Sequence, residues 1–248
     1  MTYKDPHTDF NRILQNIFLL FVVFFKNFKF FSKYFIALGY SFKLIDFAKN
    51  YNFDLNFEQA IFVGLRREKI YEKIIKKINI ENNNIELALE FGVAWGYSTN
   101  YFLSNIKKNI SWHGFDSFFG LPSNWHEYKK GHFGTQGKPP RIEDHRLTWN
   151  IGNIEDTLDV YLKRNEELVK KKKFIIFDFD LFAPTEYTLQ KVSKYLNKGD
   201  ILYFDEPNII DEMTILYRLM ALNKKKIKVL YYTPCQIAVE ILSKNINY

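Results

Sequence analysis

From residue 85 onward, short apolar runs alternate with stretches of helical spacing. The runs 85–91 (IELALEF), 110–115 (ISWHGF), 147–151, 173–179 (KFIIFDF) and 200–204 (DILYF) have strand length and polar or glycine boundaries. Helices are predicted over 98–106, 154–164 and 184–196, with a further helix ending near Leu222. Two last apolar runs, 227–232 and 236–242, are separated only by Thr233, Pro234 and Cys235, which predicts an antiparallel hairpin. Strands alternating with helices define an α/β class with a mostly parallel sheet covered on both faces. The segment 120–146 breaks the alternation: a crossover helix is expected there, and the pattern shows none. Long connections of this kind form lids or binding loops.

The first 80 residues read differently, as a helical extension ahead of an α/β domain over 81–248. The run 17–25 (IFLLFVVFF) is apolar throughout, but a membrane-spanning helix needs about 20 such residues. Asp5 and Asp9 precede it and Lys26, Lys29 and Lys33 follow, the reverse of a secretion signal. As a helix this stretch suits packing on the main domain or on a second subunit, which allows a homodimer. It also suits a helix lying in a membrane interface, a peripheral contact at the inner membrane surface. Further on, Asn56 can cap a helix in which Ile61, Leu65, Ile70, Ile74, Ile75 and Ile78 recur at helical spacing, before a polar break at Asn82, Asn83 and Asn84.

Composition narrows the classes. With 248 residues and 47% hydrophobic positions, including 25 Phe and 16 Tyr, the chain can build a full core. Cys235 stands alone, which excludes a disulfide scaffold and a cysteine-rich zinc site and fits a reducing, cytoplasmic setting. The net charge of +7 comes from 28 lysines and seven arginines. Lysine excess at helix ends is ordinary solvation, so no nucleic-acid partner is expected.

In open α/β sheets, ligands bind beyond the carboxyl ends of the strands. The first strand ends in Glu90-Phe91-Gly92-Val93-Ala94-Trp95-Gly96-Tyr97-Ser98. Gly92 and Gly96 permit a tight turn and close backbone approach, and Ser98 falls where a helix starts with free N–H groups. The spacing is not the G-x-G-x-x-G of dinucleotide sites. The second strand ends in Phe115-Asp116-Ser117, and an acid at that place can accept from ribose hydroxyls. Asp178 and Asp180 follow the fourth strand, and Asp205 and Glu206 the fifth. Helix capping accounts for one or two of these acids. Four together need a divalent metal or raised pKa values, the second of which suits a general base.

The segments EFGVAWGYS, HGFDSFFGLPSNW, KKGHFGTQG, GNIEDTL, FIIFDFDLFAPT and GDILYFDE, in that order, resemble the class I S-adenosylmethionine-dependent methyltransferases of the branch typified by macrocin O-methyltransferase. The resemblance covers 85–242 and is most specific in FDSFFGLP and DFDLFAPT. It implies a Rossmann-like, seven-stranded sheet. It implies that Glu90, Gly92, Ala94, Gly96 and Ser98 line the methionine part of S-adenosylmethionine. Asp116, with Ser117 beside it, would hold the ribose, and Asn153 and Ile154 would border the adenine. Magnesium-using relatives bind the ion at places matching Asp178, Asp205 and Glu206. The pair here is Asp-Glu rather than Asp-Asp, so a metal-dependent and a metal-free enzyme both fit. Asp178 or Asp180 would take the acceptor's proton, and His126 and His132 lie in the long segment beside it. Relatives methylate sugars of natural products or surface glycans, which makes a sugar hydroxyl the expected acceptor and a phenol the alternative. A base amino-methyltransferase needs an Asn/Asp-Pro-Pro-aromatic run where this chain has Asp178-Phe179-Asp180-Leu181. A non-catalytic scaffold is the reading from another class, since fold alone does not prove activity.

Overall fold

A computed structural model of the chain describes residue 49 and residues 67–80, 84–125, 128–205, 210–223, 225–232 and 236–248. The apolar N-terminal run, the first part of the helix expected over 56–80, His126, Glu206 and Cys235 lie outside the described residues. The residues from 67 onward belong to one compact unit, Ile45–Tyr248.

Helix α1 (Arg67–Asn79) is followed by β1 (Leu87–Phe91), α2 (Tyr97–Asn105), β2 (Ser111–Asp116), β3 (Leu147–Ile151), α3 (Ile154–Arg164) and the single turn α4 (Glu166–Val169). Then come β4 (Lys173–Phe177), α5 (Phe182–Val192), a 3₁₀ turn (Ser193–Tyr195), β5 (Ile201–Asp205), α6 (Ile210–Leu222), β6 (Ile227–Tyr232) and β7 (Gln236–Ile241). The strands form one seven-stranded sheet in the order β3-β2-β1-β4-β5-β7-β6. Strands β1 to β5 pair in parallel, and β7 runs antiparallel between β5 and β6. Among the described residues, no helix is long and apolar enough to cross a membrane.

Strand alternation assigns the two faces of the sheet. Ala88, Trp112, Phe174, Ile176, Ile201, Tyr203 and Ala238 meet α1 through Ile70, Tyr71, Ile74, Ile75 and Ile78, and α2 through Phe102, Leu103 and Ile106. The 3.6-residue spacing of the α1 isoleucines makes that face continuous. The opposite row matters more for function. Phe115, Phe91, Phe177 and Phe204 stand side by side across β2, β1, β4 and β5. Phe177 and Phe204 stack at 4.7 Å, and Phe91 meets Phe115 at 4.9 Å. All four are buried. The next residue of each strand is therefore also in one row, on the other face: Asp116, Gly92, Asp178 and Asp205.

The strand order reverses between β1 and β4, the place where open α/β sheets leave a crevice at their carboxyl ends. The 117–146 connection runs on that side without a helix or strand among its described residues, apart from a single bridge between Trp125 and Tyr128. It is nonetheless folded on itself. The Phe118 carbonyl accepts from Thr135 N–H and Gly137 N–H, both at 2.8 Å, and Leu121 exchanges bonds with Gly131 and His132.

Candidate functional site

The turn after β1 is held from three sides. Gly92 has φ +84°, and a Cβ placed there would stand 2.0 Å from the Asp178 carbonyl oxygen. Glycine is required because the ends of β1 and β4 touch at this point. Gly96, at φ +75°, lies under Pro140 and Ile142, whose side chains would be 2.7 Å and 2.9 Å from an added Cβ. The two glycines thus admit β4 at one place and the long connection at the other. Ala94 also takes a left-handed φ of 48°, and Trp95 stands exposed at the tip of the turn.

Asp116 ties this turn to β2. Its Oδ2 accepts from Val93 N–H and Ala94 N–H, both at 2.8 Å, and its Oδ1 accepts from Phe118 N–H at 2.7 Å. A carboxylate accepts about four hydrogen bonds, so capacity remains for a hydroxyl. Ser117 Oγ accepts from Phe119 N–H at 3.2 Å. Gly152 N–H donates to the Asp116 carbonyl at 3.0 Å, which brings the β3–α3 turn alongside. There Asn153 precedes α3 and is exposed, while Ile154 is buried.

Glu90 and Ser98 face inward. Glu90 is fully buried and accepts from the Ser98 hydroxyl, from Thr99 Oγ1 at 2.6 Å and from Trp112 Nε1 at 2.9 Å. Burial pushes its carboxyl up to about 7, and the three donors pull the other way. These residues brace the start of α2 from beneath.

The acids after β4 and β5 gather on the α1 side. Arg67 Nη1 lies 3.5 Å from Asp205 Oδ2 and 3.9 Å from Asp178 Oδ2. Tyr203 donates its hydroxyl to Asp205 Oδ1 at 2.5 Å. Burial, then the carboxylates of Asp205 and Asp180, pushes the Asp178 carboxyl well above the usual range, and Arg67 opposes this. Burial raises Asp205 as well, against Arg67, Tyr203 and Gln236. Burial lowers the Arg67 guanidinium, but Asp205 and Asp178 outweigh it and keep it charged. Glu212, buried on α6, accepts from Thr185 Oγ1 at 3.3 Å and is raised by burial and by the same aspartates. Its Oε2 has no hydrogen-bond partner among the described residues. Asp180 follows Asp178 with a left-handed φ of 64°. Arg67, Tyr203 and Glu212 are additions to the residues expected from sequence. Their sequence signals were an arginine within an isoleucine-spaced helix and an acid in the first turn of a largely apolar one, while Tyr203 carried none.

A divalent ion shared by Asp178 and Asp205 would enter the space already held by the Arg67 guanidinium, cation against cation. Among the described residues no group of three acids, histidines or cysteines is placed to hold an ion. The described donors therefore do not fit a metal, and Glu206 lies outside them. His132 is exposed and stacks on Tyr128 at 4.5 Å.

This sheet order, reversing between β1 and β4, is that of the Rossmann-like methyltransferase fold. The calicheamicin methyltransferase CalS11 superposes on 71% of this chain and 80% of its own, at 21% identity and a TM-score of 0.56. Its apo form, titled a TDP-rhamnose 3′-O-methyltransferase of calicheamicin biosynthesis, covers 71% and 81% at 20% identity, with a TM-score of 0.50. The O-methyltransferase NovP covers 79% and 87% at 14% identity, with a TM-score of 0.57. No protein-family model matches the chain, and no curated protein matches its sequence.

Proposed function

We propose that this chain is an S-adenosylmethionine-dependent O-methyltransferase of the macrocin O-methyltransferase-like branch, acting on a sugar hydroxyl of a glycan or natural product. The observation that carries the reading is the row Asp116–Gly92–Asp178 at the switch point. One register unites an acid with spare acceptor capacity, a backbone turn and a partly exposed base. Asp116 would bind the ribose hydroxyls, the Gly92–Gly96 backbone the methionine part, and Asn153 with Ile154 the adenine edge. Bound S-adenosylmethionine supplies an electrophilic methyl group on a sulfonium.

The protein's share is alignment and proton removal. Asp178 keeps 22% of its side-chain surface exposed, so an acceptor hydroxyl can reach it. A carboxylate raised above its usual range is the stronger base for that proton. Asp180, two residues beyond, adds to the local negative potential. Trp95 and Phe119 are 61% and 69% exposed, Trp95 set edge-on to Phe133 and Phe119 lying against Gly137. They suit the apolar face of a sugar ring, and the TDP-rhamnose 3′-O-methyltransferase CalS11, similar in fold, supports the same acceptor class.

Calorimetric titration with S-adenosylhomocysteine tests the reading. Micromolar binding is expected in the wild type. Asp116→Ala is expected to weaken it by about 1–3 kcal/mol, the cost of unpaired hydroxyls. Absence of binding by the folded wild type would overturn the proposal.

A further inference from the structure

We propose that Arg67 takes the place of a divalent cation in this site, holding Asp178 and Asp205 together so that the enzyme works without a metal. The proposal rests on the methyltransferase reading and concerns how its base is positioned.

Three contacts carry it. Arg67 Nη1 reaches both Asp205 Oδ2 and Asp178 Oδ2, at 3.5 Å and 3.9 Å. Each carboxylate thus turns one oxygen to the same guanidinium nitrogen, while the other oxygen of Asp205 accepts from Tyr203. Arg67 is also anchored. It lies on α1, whose Ile70, Tyr71, Ile74 and Ile78 are buried in the sheet core. Tyr71, one turn further on, packs against Tyr203 at 5.5 Å. The helix thus delivers a fixed positive charge to the strand ends.

The chemistry of a guanidinium suits this role. It is always charged and donates along fixed directions, so it can join two carboxylates without the near-octahedral oxygen shell that magnesium demands. It approaches Asp178 from α1, and that carboxylate keeps 22% of its side-chain surface exposed. Arg67 is therefore a positioning residue, acting through Asp178.

The test uses the full chain as wild type, Arg67→Lys and Arg67→Gln, with Mn²⁺ binding read by electron paramagnetic resonance and by thermal melts. The wild type and Arg67→Lys are expected to show no Mn²⁺ binding and no melting shift in up to millimolar ion. Arg67→Gln, which vacates the cation position, is expected to bind Mn²⁺ at least tenfold more tightly and to melt higher when the ion is added. Tight Mn²⁺ binding by the wild type would overturn the proposal by itself, even were the glutamine variant not to fold. A folded Arg67→Gln with no gain in Mn²⁺ affinity would also overturn it. S-adenosylhomocysteine is titrated into the wild type in parallel. Its failure to bind would sink the methyltransferase reading while the Mn²⁺ comparison still judged the role of Arg67.

Discussion

Glu90 is fully buried and yet keeps three polar partners. Its folded pKa of about 7 lies above its ordinary 4.5, so the folded chain binds that proton more tightly than the unfolded one. The resulting stability is complete below pH 4.5 and is lost as the pH rises to about 7. The amount is on the order of 3 kcal/mol, from a displacement of about 2.5 pH units. Asp178, Asp205 and Glu212 are raised too and act in the same direction. Thermal melts across this range should therefore fall steeply for the wild type and less steeply for Glu90→Gln. Parallel curves would remove Glu90 as a source. The family resemblance placed Glu90 in the lining of the methionine part of the cofactor. It showed no sign of Trp112, whose indole reaches Glu90 from the neighbouring strand, so the inward role was not legible.

At the scale of elements, the β1–α2 turn depends on one missing side chain. Gly92→Ala sets a Cβ against the Asp178 backbone and strains a positive φ, for a cost of roughly 2–5 kcal/mol. Gly131 has nearly the same φ, +85°, with nothing within 4 Å of an added Cβ, so Gly131→Ala should cost only about 1–2 kcal/mol. Chemical denaturation of both variants checks the contrast, and equal losses would show that crowding against β4 is unimportant. Much of the element order could be read directly. β3, α3 and β6 begin and end where periodicity predicts. The errors have local causes. Strand β4 stops at Phe177 rather than Phe179, because Phe179 leaves the ladder to stack on Phe91 at 6.0 Å. Helix α5 starts at Phe182, ahead of Pro184, since first-turn N–H groups have no helical partner to lose. The acids at the strand ends were visible as a recurring Phe-Asp pair. Arg67 was not, because its partners lie more than 100 positions away and only the packing of α1 brings them together.

Across the whole molecule, β4 and β5 carry charged pairs at both ends with opposite purposes. At the amino ends, Lys173 Nζ donates to Asp200 Oδ2 at 2.9 Å and to the Tyr195 carbonyl at 2.6 Å. Both charged side chains are fully shielded from water. Five residues further along each strand come Asp178 and Asp205, where Arg67 is 39% exposed. Lys173→Met leaves Asp200 buried without its cation and should cost about 3–5 kcal/mol in urea denaturation. The affinity of the remaining folded protein for S-adenosylhomocysteine should be unchanged, and a parallel loss of affinity would contradict this separation of roles. The position of β7 has a consequence for biosynthesis. It is the last strand in chain order, yet it lies inside the sheet, with Gln236 paired to Asp205. On a translating ribosome, β5 has a bare edge and the acid cluster lacks one of its donors until this strand emerges. The nascent chain cannot assemble its chemistry early, and β5 is the edge at which a stalled or truncated product would stick to its neighbours.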